Sequence, residues 1–121
     1  MPNSFIKMLR SFRYAGRGIA SAVRRENNFR YHLLATVGTL LTGWLTGFTR
    51  TEWCIVLMLI GMVYASEIFN TAIEKLMDKL HPGPDPDVGI IKDLAAGAVL
   101  VTSITAAVVG TIILLGKLGY L

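Results

Sequence analysis

Three carboxylates and one amide stand at Glu67, Asn70, Glu74 and Asp78. At 100° per residue these offsets fall on one helical stripe about 80° wide. Oxygen donors without histidine or cysteine suit Mg²⁺ rather than Zn²⁺. Mg²⁺ takes one or two protein carboxylates and fills its shell with water and phosphate oxygens. A further carboxylate at a lipid boundary can accept the proton of a lipid hydroxyl. Metal, cation and positioned nucleophile are the parts of phosphoryl transfer. Pairing with Lys75, Lys79 or the N-terminal arginines explains any single acid better than it explains the whole stripe.

Glu67 follows the apolar run WCIVLMLIGMVYA, residues 53–65. That places it at the membrane boundary, where an ionisable group is costly and marks function by default. Two other segments converge on the same depth. Glu26 is the only acid in a basic N-terminal region, where an i,i+4 pair with Arg30 is the plain alternative. Lys92 and Asp93 open the last apolar run, where a helix N-terminus and a lysine can meet phosphate; a snorkelling lysine beside a capping aspartate is the plain alternative. Neither a G-x-x-x-x-G-K-[ST] nor a G-x-G-x-x-G motif is present. His32 reads as an interfacial residue and Cys54 as a lipid-facing one, neither with a partner.

The elements that must position these residues belong to a membrane protein. The 121 residues are 53% hydrophobic and 17% charged, with a mean hydropathy of +0.54. A soluble body of this size cannot hide so much apolar area. The length allows one domain, residues 1–121, of about three spans, and excludes a soluble nucleotide-binding fold beside them. A lone cysteine excludes an internal disulfide.

Residues 4–25 read as an amphipathic helix: Phe5, Leu9, Phe12, Ile19 and Val23 share one side, and Lys7, Arg10, Arg13, Arg17, Arg24 and Arg25 the other. The surface segment is taken to extend over 4–30. Helices at 33–49, 53–80 and 92–116 supply three spans, joined by a turn at 50–52 and a proline-rich linker at 81–89. The basic N-terminal region places the N-terminus on the cytoplasmic side, the 50–52 turn outside and the 81–89 linker inside. Membrane topology explains these bases better than nucleic-acid binding does. No cleavable signal peptide is expected.

The run Glu67-Ile-Phe-Asn70-Thr-Ala-Ile-Glu74, continued by Asp78 and by Lys92-Asp93-x-x-x-Gly97-Ala98-Val99, resembles the prokaryotic diacylglycerol kinase family, which includes undecaprenol kinases. Tyr14-Ala-Gly-Arg17-Gly18 and Glu26-Asn-Asn-Phe29-Arg30 match its N-terminal part, so the resemblance covers nearly the whole chain. It implies an all-α integral-membrane homotrimer, with an amphipathic surface helix and three spans per subunit and active sites shared between subunits. It implies MgATP-dependent phosphorylation of a membrane lipid alcohol at the cytoplasmic face of the cell membrane.

By position, Glu67 resembles the catalytic base, and Glu26 and Glu74 the Mg²⁺ ligands. Lys7, Tyr14, Arg17, Lys92 and Asp93 stand at nucleotide-binding positions, and Asn70, Asp78 and Arg30 at supporting ones. Lys7 replaces the family's arginine, and Pro84-Asp85-Pro86 stands where histidine and tyrosine are frequent. The N-terminal run favours undecaprenol over diacylglycerol as substrate. A small ion-coupled transporter would use Glu67 alone, deeper in its span. A structural subunit binding anionic lipid leaves the acidic stripe unexplained.

Overall fold

A computed structural model describes residues 3–121, folded as four helices. The first, α1, is Ser4–Arg25, opened by Asn3, whose side chain accepts a hydrogen bond from the Phe5 N–H at 3.2 Å. Arg24 and Arg25 occupy its last turn, where cations complement the helix dipole.

Glu26 then leaves helical geometry, and α2 runs over Asn27–Thr46. Helix α1 therefore stops at Arg25, short of the expected boundary at residue 30, and the next helix starts before residue 33. A straight continuation would place Phe29 roughly 120° from the Phe5 face. The break instead turns Phe29 inward, 1% exposed, onto the ring of Tyr64 at 5.7 Å.

The turn after α2 is Gly47-Phe48-Thr49, three residues ahead of the expected 50–52 turn. Gly47 takes a left-handed conformation (φ +73°), which ends α2. Thr49 accepts from the Glu52 N–H and so starts α3, Arg50–Leu80, one turn earlier. The chain approaches itself closely here. A Cβ on Gly43 would lie 2.6 Å from the Trp53 ring.

The linker to α4, Pro86–Lys117, is also shorter than the expected 81–89. Asp85 caps the helix through the Asp87 and Val88 N–H groups, and Pro86 takes its first turn. A proline there loses no hydrogen bond and its φ is already helical, so it starts the helix it would interrupt further along.

Helices α3 and α4 are the main packed pair. Ser66 and Thr102 join them hydroxyl to hydroxyl at 2.8 Å, with Val63 and Ala95 buried nearby. Both are long and apolar enough to cross a membrane, and at 1.5 Å per residue each is about 45 Å long. Helix α2 docks on α3 through Phe29 and through a 2.7 Å bond between Thr36 and Tyr64.

Candidate active site

The polar stripe lies on the second half of α3 and faces inward. Glu67, Asn70 and Thr71 are buried, and Glu67 is only 2% exposed. Val63 and Val56 occupy the same buried side of the helix about one and three turns earlier. The helical period that hides the valines therefore carries the carboxylate inside too.

Glu67 Oε2 has no hydrogen-bond partner among the described residues, and His32 Nε2 of α2 stands 3.4 Å from it. Asn70 donates from Nδ2 to Glu74 Oε1 at 3.4 Å, while its own Oδ1 is buried and has no partner among the described residues. One residue past Glu74, Lys75 Nζ lies 3.6 Å from Glu26 Oε1. Glu26, at the α1–α2 junction, is thus tied to the residue that follows Glu74 on α3. Asp78 pairs with Lys92 of α4. Glu26 is therefore bound across helices, and Arg30 is exposed and joins no ion pair among the described residues.

Among the described residues no three His, Cys, Asp or Glu side chains converge as a self-sufficient metal cage. A Mg²⁺ ion that arrives with phosphate oxygens needs only one or two carboxylates, and the donors offered here are all oxygens. The unpartnered Asn70 Oδ1 beside Glu74 fits such a hydrated ion as well. The Lys75–Glu26 pair is part-exposed, and pairs of that kind are worth about 0–1 kcal/mol. Exchanging Lys75 for a divalent cation thus costs little.

The expectation of a helix N-terminus at Lys92 and Asp93 is not met. Helix α4 begins at Pro86, so both residues lie inside it, and its free N–H groups are already capped by Asp85. Lys92 still reaches the stripe by its side chain, through Asp78. Asp93 is exposed, as are Lys7, Tyr14 and Arg17 on α1.

A family model of prokaryotic diacylglycerol kinases matches residues 13–114. The chain belongs to that family. This kinase-family chain is 38% identical over 116 residues to an undecaprenol kinase of Bacillus subtilis, covering 96% of its own length and 94% of that protein. It is 33% identical over 112 residues to a diacylglycerol kinase of Synechocystis, covering 92% of its own length and 64% of that protein. Family membership and the two apolar helices α3 and α4 make it a membrane protein.

His32 is the site residue that sequence reading set aside. The sequence reads it as interfacial and without a partner, yet its Nε2 stands 3.4 Å from Glu67 Oε2. A signal for it exists. Phe29, His32 and Thr36 recur at helical spacing, and all three meet Tyr64 or the groups around it.

Proposed function

We propose that this chain is an integral-membrane lipid kinase that transfers the γ-phosphate of MgATP to a lipid hydroxyl, and that the lipid is undecaprenol. The observation that carries the reading is the buried carboxylate of Glu67, set where α3 passes from apolar to polar sequence. The preference for undecaprenol rests on the full-length likeness to the Bacillus subtilis enzyme. Diacylglycerol is the second reading, favoured by the Synechocystis relative.

In this reading the lipid enters sideways from the bilayer and brings its hydroxyl to Glu67. The hydroxyl oxygen forms a bond to the γ-phosphorus, the bond from that phosphorus to the bridging oxygen of ADP breaks, and the hydroxyl proton passes to Glu67. Glu26 and Glu74 would hold Mg²⁺, with Asn70 orienting Glu74 or the ion's water ligands. Bound there, Mg²⁺ spreads the negative charge of the phosphate chain. Lys92, released from Asp78, offsets the same charge. Lys7, Tyr14, Arg17 and Asp93 contact the nucleotide, and Arg30 supports the site. The gain comes from positioning and electrostatics, without a covalent enzyme intermediate.

The same reading makes α1 an amphipathic surface helix, α2 the third span, and the assembly a homotrimer with shared sites at the cytoplasmic face. The exposure of Lys7, Tyr14 and Arg17 on one protomer supports a site completed by a neighbour.

The test is transfer of labelled γ-phosphate by purified protein in mixed micelles, with undecaprenol and diacylglycerol in separate reactions. Labelled undecaprenol alone identifies a polyprenol kinase, and preference for diacylglycerol a phosphatidate-forming one. If active-size assemblies label neither, the kinase reading fails and a Glu67-dependent transporter replaces it.

A further inference from the structure

The two carboxylate oxygens of Glu67 differ in their surroundings. Oε2 is sealed from solvent and unpartnered among the described residues, whereas Oε1 is not. A buried carboxylate oxygen without a donor is strongly disfavoured, so Oε2 needs one when the site is at work. The group in place to supply it is the imidazole of His32, with Nε2 at 3.4 Å. Catalytic hydrogen bonds are often long in a substrate-free site and tighten when substrate binds.

His32 is held before that happens. Thr36 Oγ1 donates to the His32 carbonyl at 2.7 Å. Thr36 has a single hydroxyl proton, so in its 2.7 Å contact with Tyr64 the phenol is the donor. The Tyr64 ring also meets the imidazole edge-on at 6.2 Å. Helices α2 and α3 are thereby latched at the level of Glu67. His32 also lines a cavity of about 230 Å³ between α2, α3 and α4, whose wall includes Ser103 with its buried, unpartnered hydroxyl.

We infer that His32 is the positioning residue of Glu67: its Nε2–H serves the buried Oε2 and so presents Oε1 to the lipid hydroxyl. The neutral imidazole with its proton on Nε2 has the required donor, and its fixed ring sets the carboxylate plane. The inference deepens the proposed function and rests on Glu67 being the base.

The experiment measures kcat and the KM for ATP of phosphate transfer in His32→Leu, His32→Gln, His32→Asn, Glu67→Gln and the Glu67→Gln/His32→Leu double variant. Loss of a donor to a buried carboxylate lowers kcat about 10- to 100-fold in His32→Leu, with KM for ATP unchanged. Glutamine places an amide N–H where Nε2 stands and restores kcat to within about threefold; asparagine, which is shorter, does not. In the Glu67→Gln background His32→Leu costs nothing further. Wild-type kcat in His32→Leu or His32→Asn, failure of glutamine to rescue, or an undiminished His32→Leu effect in the Glu67→Gln background each overturn the inference. If His32→Leu does not assemble, the glutamine and asparagine variants decide alone. Wild-type turnover in Glu67→Gln by itself marks a different failure, that of the base assignment.

Discussion

The two ends of α3 carry the same kinds of residue to different ends. Near its start, Glu52 faces Lys117 of α4 at 3.2 Å, Thr49 caps the helix, and Trp53 packs on Phe48 and against Gly43. In its second half, Glu67 is buried more deeply and faces an imidazole, and Asn70 keeps a buried oxygen without a partner among the described residues. Both glutamates leave Oε2 without a hydrogen bond, so the difference lies in the partner's charge. A lysine neutralises its carboxylate permanently. A neutral imidazole can instead offer a hydrogen bond without supplying a charge. One arrangement closes a helix pair, and the other suits the base proposed at Glu67.

That contrast can be broken at several points. Glu67→Gln should lower phosphate transfer by at least about 100-fold while the assembly state, measured by size exclusion with light scattering, matches that of the unsubstituted protein. Undiminished transfer would make Glu67 as structural as Glu52. Glu74→Gln should raise the Mg²⁺ concentration for half-maximal activity about tenfold, and an unchanged Mg²⁺ titration removes Glu74 from the metal site. At the other end, Gly43→Leu should cost about 1–3 kcal/mol of stability, seen as a lower melting temperature in detergent, because its Cβ alone would meet the Trp53 ring at 2.6 Å. Turnover per folded molecule should hold. Smallest is Glu52→Gln, expected to cost about 1 kcal/mol or less of stability and no kcat. A loss of kcat there would erase the distinction between the two ends.

Much of the site was legible because its core is local. Glu67, Asn70, Glu74 and Asp78 lie on one continuous helix, and the helical period alone puts them on one stripe. The apolar runs pointed to Glu26 and Lys92 as neighbours of this stripe, and they pair with Lys75 and Asp78. Helix ends were less legible. Pro86 and Thr49 start helices where the proline cluster and the charged turn suggested loops, because a capping side chain decides a helix start more locally than composition does.

The sequence by itself determined the four helical segments in outline, the apolar character of α3 and α4, the acidic stripe and the family to which the chain belongs. Tertiary structure alone decided the pairings. Glu26 meets Lys75 and not Arg30, Lys92 meets Asp78 from within α4, and His32 becomes the neighbour of Glu67. The physical reason is the bend at Glu26, which seats Phe29 on Tyr64 and sets the rotation of α2. Periodicity governs which side chains share a face of one helix, but which face meets another helix depends on junction angles and packing, which no local pattern specifies.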